Sequence, residues 1–134
     1  MRPSVSVLLA TGIALTGSVA ARAGDAALDG SWAGEMRQVD PDRETSYPMT
    51  LTIKGTKGAT SYPTLNCSGT LSRIATTKAG YAIYQETIKN DPGATCIDGI
   101  VTVTTDANKV VLGWFAEFAG TPSLASAVLE REAK

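Results

Sequence analysis

The chain has 134 residues, of which 12 are basic and 13 acidic, so its formal net charge is −1, and it contains no histidine. This small and dispersed charge excludes a surface built for nucleic acid or for electrostatic attachment to an anionic membrane. The missing histidine excludes Ser–His–Asp and Cys–His catalysis, and it excludes zinc or haem sites with imidazole ligands.

The first residues have the composition of a secretory signal. Arg2 gives a positive start, residues 5–20 are apolar and uncharged, and Ala21-Arg22-Ala23 places small residues where a signal peptidase reads them. A stretch of 16 residues is shorter than the about 20 that a membrane span needs. We predict a signal peptide over 1–23, with an uncleaved anchor helix as the alternative. The mature part, 24–134, is then one exported domain, periplasmic or secreted, with a charge of −3 and no stable membrane insertion.

Apolar and polar residues alternate along most of the chain after residue 30. In the clearest run, Tyr47, Met49, Leu51 and Ile53 share one face, which is the pattern of a half-buried strand. The phase of another run slips at Ile74, which indicates a bulge or bend. The pattern predicts seven strands, and an eighth if the third run breaks at this slip: 30–38, 47–54, 64–77, 80–89, 97–105, 109–118 and 124–131.

Turn signals separate these runs at the spacing of a sandwich or barrel. The tail 124–134 has helix-forming alanine and glutamate. It can also be read as a strand in which Ala127, Leu129 and Arg131 alternate with Leu124, Ser126 and Val128, and a last strand would close the edge of the sheet. We predict an all-β fold, an antiparallel up-and-down meander of seven or eight strands that forms a small closed barrel.

Two cysteines in an exported domain most simply form a disulfide, here Cys67–Cys96. In a meander both residues lie near strand starts at the same end of the sheet, so their approach is geometrically reasonable. The loop from Cys67 to Cys96 holds 30 residues, for which loop-closure entropy gives about 3–4 kcal/mol of stabilisation.

The two ends of the predicted barrel carry a short motif. The first strand opens Gly30-Ser31-Trp32 and the last strand ends at Arg131. A Gly-x-Trp followed by a basic residue on the final strand resembles the calycin superfamily, the lipocalin-like and avidin-like barrels. The resemblance implies that Trp32 closes one end of the barrel while Arg131 packs over its ring, and Gly30 belongs to the same structural set. As the alternative, Trp32 is an ordinary core aromatic residue.

A second likeness rests on the segments around the cysteines. Tyr62-Pro63-Thr64-Leu65-Asn66-Cys67-Ser68-Gly69-Thr70-Leu71 and Cys96-Ile97-Asp98-Gly99 resemble small exported bacterial β domains of unassigned function. This likeness implies the disulfide and export, and it brings no activity.

The carboxylates do not form a recognisable catalytic or metal-binding motif. Asp40, Asp42 and Glu44 lack the glycine of an EF-type calcium loop, so we interpret them as a solvated hairpin tip. Glu86 and the other strand glutamates are expected to point to solvent rather than to form a glycosidase pair. We therefore expect no enzyme, no cofactor and no metal.

The remaining function classes are a binding module and a domain without a pocket. The first would hold a small apolar ligand, or contact a protein partner such as a hydrolase that it inhibits. The second would be a structural or interaction domain of the cell envelope. The bulk of the predicted inward residues, such as Leu51 and Trp114, favours a filled interior or a very small cavity.

Overall fold

Eight antiparallel strands close into a barrel in a computed structural model that describes residues 27–133. A 3₁₀ turn, Pro63–Leu65, precedes the fourth strand. The strands are β1 Gly30–Asp40, β2 Arg43–Lys54, β3 Lys57–Tyr62, β4 Cys67–Thr76, β5 Ala82–Asn90, β6 Gly99–Asp106, β7 Lys109–Phe118 and β8 Thr121–Arg131.

Each strand pairs with the next in the chain, and β1 also pairs with β8, where Trp32 lies opposite Arg131 and Val39 opposite Leu124. The predicted all-β meander and closed barrel are therefore confirmed. The tail is a strand, as predicted. The predicted bulge is also present, because the β4–β5 register shifts between Arg73 and Ala75.

The extra strand lies elsewhere than the sequence predicted. The run 64–77 does not split at Ile74; instead, its beginning forms the 3₁₀ turn, and β3 lies between the predicted strands 47–54 and 64–77. The inward positions of β3 are Gly58, Thr60 and Tyr62, so this strand lacks the apolar row that marks the others.

Pro48 lies inside β2 rather than at its start, opposite Glu35 of β1. The β2–β3 ladder ends at Thr50–Ser61, so beyond this pair β2 has no partner on that side. A proline, which has no N–H to donate, is tolerated at such a position.

The strands place different side chains at the two ends of the barrel. We call the end with Trp32 and Arg131 the floor, and the opposite end the mouth. The mouth is formed by the Pro41-Asp42 turn, the 3₁₀ turn, residues 91–98 and the Ala119-Gly120 turn.

The β5–β6 ladder stops at Glu86–Gly99, so the last part of β5 reaches the mouth paired with β4 alone.

In residues 27–133 no helix has the length and apolar character needed to cross a membrane. The predicted signal peptide, 1–23, lies outside the described residues.

Candidate ligand-binding site

The floor brings together the three residues of the Gly-x-Trp…Arg motif. The Arg131 Cζ lies 4.2 Å from the centroid of the Trp32 ring. Trp32 is 1% exposed, and its indole N–H donates to the Leu28 carbonyl at 2.9 Å. Gly30 has a φ of +131°, and a Cβ at this position would overlap the guanidinium of Arg131. The floor is thus closed by an aromatic ring that a cation covers.

The mouth is fastened by the Cys67–Cys96 disulfide, which is present with a Cα–Cα distance of 6.4 Å. It joins the start of β4 to residues 91–98. The side chain of Asn90 binds the same segment through two hydrogen bonds of 2.9 Å. Its Oδ1 accepts from the Cys96 N–H, and its Nδ2 donates to the Cys96 carbonyl. Asp98 accepts from the Ile88 N–H at 2.7 Å. This long connection is therefore fixed against β4 and β5.

A cavity of about 1150 Å³ opens at the mouth. The expectation of a filled interior or a very small cavity is wrong for this half of the barrel. Bulky residues such as Leu51 and Leu112 fill the floor half, whereas inward positions near the mouth hold Gln38 and Ser123. Phe118 continues the inward row of β7, but it is 68% exposed at the rim and leaves the interior open.

The base of the cavity contains a buried carboxylate. Glu86 is 0% exposed, and it accepts hydrogen bonds from Thr60 Oγ1 at 2.5 Å, Tyr62 Oη at 2.7 Å and Trp114 Nε1 at 3.0 Å. Burial raises the pKa of Glu86, and the three hydrogen bonds act in the opposite direction. Because indole can only donate and both hydroxyls are placed to donate, this arrangement fits the ionised carboxylate.

Two glycines make room for this carboxylate and its donors. A Cβ on Gly69 would overlap Thr60 Oγ1 and lie 2.8 Å from Glu86 Oε2. A Cβ on Gly99 would overlap the Trp114 indole. Glu86 is therefore built into the interior, and our expectation that it points to solvent is wrong. The inward row of β5, with Ala82 and Tyr84, carries it into the barrel.

A chain of polar side chains extends from the cavity wall to the rim. The Tyr47 hydroxyl donates to Gln38 Oε1 at 2.6 Å, and Gln38 Nε2 donates to Asp40 Oδ1 and Ser123 Oγ at 3.1 Å each. The Ser123 hydroxyl donates to Asp40 at 2.5 Å. The hydrogen bonds from Ser123 and Gln38 lower the pKa of Asp40, so this carboxylate stays charged. Burial and the field of Glu86 raise the pKa of Tyr47 to about 12 and that of Tyr62 further.

The predicted hairpin tip at Asp40-Pro41-Asp42 is confirmed. Asp40 itself turns toward the cavity, where it joins the polar chain, while Arg43 Nε lies 3.4 Å from its Oδ2. Among residues 27–133, no three His, Cys, Asp or Glu residues are grouped as a metal site would require.

Two sequence signals could have revealed the buried carboxylate. Glu86 shares the phase of Ala82 and Tyr84, and glycines occur at two inward positions, Gly69 and Gly99, on β4 and β6. Hydropathy alone assigns a glutamate to the outer face, so the cluster around Glu86 was not predicted.

The chain has no significant match among the protein-family models, the curated proteins and the solved structures compared with it.

Proposed function

We propose that this chain is an exported, lipocalin-like binding module that holds a small, partly apolar molecule in the mouth of its barrel. The closed eight-stranded meander and the floor formed by Trp32 and Arg131 support a place in the calycin group. The disulfide supports export, because disulfides persist in oxidising compartments.

The cavity is the observation that carries this proposal. Its volume of about 1150 Å³ is slightly above the roughly 300–1,000 Å³ that is usual for small-molecule sites, and its wall combines apolar side chains with a few convergent polar groups, as such sites do. Among its apolar lining residues are Met36, Ile88, Ile97 and Phe118.

A neutral fluorescent probe, N-phenyl-1-naphthylamine, tests whether the cavity binds small molecules. We expect saturable binding of one probe per chain. Ile88→Trp places a large ring in the cavity and should weaken binding at least about tenfold, which corresponds to a loss of at least about 1.4 kcal/mol of binding free energy. Ile74→Trp makes the same change at an exposed site outside the cavity and should leave binding unaltered. Equal binding by both variants, or no binding by the native protein, would contradict the proposal.

Export is tested on protein recovered from outside the cytoplasm. We expect a chain that begins at Gly24 and carries no alkylatable thiol. A chain retained in the cytoplasm with its first 23 residues would contradict this part of the proposal.

A second candidate function, contact with a protein, is favoured by the outer wall. Val39, Leu124 and Phe115 lie side by side across β1, β8 and β7, and all three are exposed. The exposed Val111–Val128 pair lies four residues further along β7 and β8, beyond Gly113 and Ser126. Contiguous exposed apolar surface marks interaction sites. Sedimentation over a range of concentrations tests self-association: a dimer that Phe115→Lys dissociates would support this candidate, and a monomer throughout would count against it.

A further inference from the structure

We propose that the cavity selects compact organic cations, meaning an ammonium group attached to an aromatic or apolar body. This inference rests on the proposed function and deepens it by naming the class of ligand. It follows from the charges, the aromatic side chains and the apolar surface that meet in the cavity.

The charged side chains of the wall are mostly acidic. In the part of the chain that the structure describes, the cavity is lined by Asp40, Asp42 and Glu86, and by a single basic residue, Arg43. Their formal sum is −2. Arg43 lies at the rim against Asp40, Asp42 is exposed at the turn, and the charged side chain buried below them is Glu86. A cleft lined by one sign of charge focuses its field and concentrates ligands of the opposite sign.

Glu86 contributes to this field without touching the ligand. Its carboxylate is fully buried beneath Tyr62 and Trp114, and these two residues and Thr60 are neutral hydrogen-bond donors to it. Within residues 27–133 no lysine or arginine forms a salt bridge with it. A charge held in protein rather than in water is weakly screened, so its potential extends into the cavity.

Aromatic side chains supply the second element of recognition. Tyr47 and Tyr62 meet edge to face, with centroids 6.0 Å apart and an interplanar angle of 79°. Trp114 and the exposed Phe118 add two further rings to the wall. Ring faces attract cations electrostatically, most strongly in indole. Such rings also pack well against an apolar body, so the same wall accommodates both parts of the ligand.

The combination discriminates among ligands of equal size. A neutral molecule gains only the apolar and aromatic contacts. An anion meets the negative potential of Glu86 and Asp40 and should be excluded. A cation makes the same apolar and aromatic contacts and is also attracted by the negative potential.

Three probes of nearly the same shape test this selection: 2-phenylethylamine, 2-phenylethanol and phenylacetate, which are cationic, neutral and anionic at neutral pH. The readout is the pair of indole N–H signals in a ¹⁵N–¹H spectrum, since the chain has two tryptophans. Trp114 lines the cavity while Trp32 lies in the floor, so a bound probe should shift the first signal and leave the second in place. Trp114→Phe assigns the signals.

We expect the amine to bind at least about tenfold more tightly than the alcohol, because a charge held in protein attracts a cation more strongly than the same charge in water does. Phenylacetate should bind most weakly. Raising the salt concentration should reduce the preference for the amine while leaving the affinity for the alcohol nearly unchanged.

Charge-neutralising variants locate the source of the preference. Glu86→Gln and Asp40→Asn preserve shape, and each should lower the affinity for the amine at least about threefold while sparing the alcohol. Asp106→Asn makes the same change at an exposed site at the floor end and should have no effect.

The outcomes separate this inference from the proposed function. If the alcohol or the anion binds as tightly as the amine, or if both variants keep the full preference, cation selection is overturned and the binding module stands. If none of the three probes shifts the Trp114 signal while N-phenyl-1-naphthylamine still binds, cation selection is again overturned. If that neutral probe also fails to bind, the proposed function falls as well.

Discussion

Replacing Trp32 with alanine should remove the floor of the barrel. The indole is 1% exposed, so its loss leaves a cavity, for which a large core aromatic residue costs about 3–5 kcal/mol. Two specific contacts are lost with it. The hydrogen bond to the Leu28 carbonyl is worth about 1 kcal/mol, and the stacking of Arg131 about 0.5–2 kcal/mol. For a domain with a total stability of about 5–15 kcal/mol, the variant should be severely weakened but still measurable at low temperature.

Urea denaturation of the oxidised protein, followed by circular dichroism, measures this loss. Trp32→Phe keeps a ring in the floor and loses the N–H donor, so it should cost less than half as much as Trp32→Ala. Phe115→Ala, on the exposed outer wall, is the matched control and should cost under about 1 kcal/mol. A loss below about 1 kcal/mol for Trp32→Ala would refute the assignment of this residue to the floor.

A double-mutant cycle isolates the stacking from the other contacts. Arg131→Met also removes the bond from Arg131 Nη1 to the Asp29 carbonyl, but it does so in both backgrounds, so this contribution cancels. We expect a coupling of at least about 0.5 kcal/mol between Trp32 and Arg131. Strict additivity would mean that the 4.2 Å approach contributes nothing, and it would remove the main support for the calycin likeness.

Three further predictions concern the mouth. Replacing Cys67 and Cys96 with serine should cost about 3–4 kcal/mol in urea denaturation, and an unchanged midpoint would contradict the constraint on the 30-residue loop. Gly69→Ala should destabilise by about 1–3 kcal/mol because its Cβ would lie 2.8 Å from a Glu86 carboxylate oxygen, whereas Gly113→Ala, with open space around its Cβ, should be nearly neutral. Burial raises the pKa of Glu86 despite its three donors, so the folded protein binds this proton more tightly than the unfolded chain does, and the resulting stabilisation is complete below the unfolded pKa of about 4.3. As the pH rises through the folded pKa, the native protein should lose stability relative to Glu86→Gln, and a constant difference between pH 4 and 8 would contradict the burial.

The sequence was sufficient for the barrel because its strands follow a local pattern, whereas the contact between Trp32 and Arg131 was predicted from the calycin resemblance. Seven of the eight strands alternate visibly, and a shared phase placed Ala127, Leu129 and Arg131 on the inner row of β8. The disulfide followed from the cysteine count and from the direction of the strands.

The candidate site could not be predicted in the same way, because it depends on residues that break the hydropathy rule. Glu86 and Thr60 point inward although both are polar, and glycines at 58, 69 and 99 occupy inward positions where apolar side chains would be expected. Their role appears only when five strands are assembled and the carboxylate meets its donors. The strand β3 was missed for the same reason, since it supplies two of those donors.

The incomplete pairing of β5 bears on how this protein avoids aggregation. Beyond Glu86, the strand has β4 on one side and no ladder partner on the other, so a short edge exists within a closed barrel. Exposed edges recruit strands from other molecules unless charge or coverage blocks them. Here the Ile88 N–H already donates to the Asp98 carboxylate, and the next residue, the exposed Lys89, places a charge on this edge. The open mouth of the barrel is therefore protected against intermolecular strand addition, and the loss of Asp98 and Lys89 together should make concentrated protein prone to form β-rich aggregates.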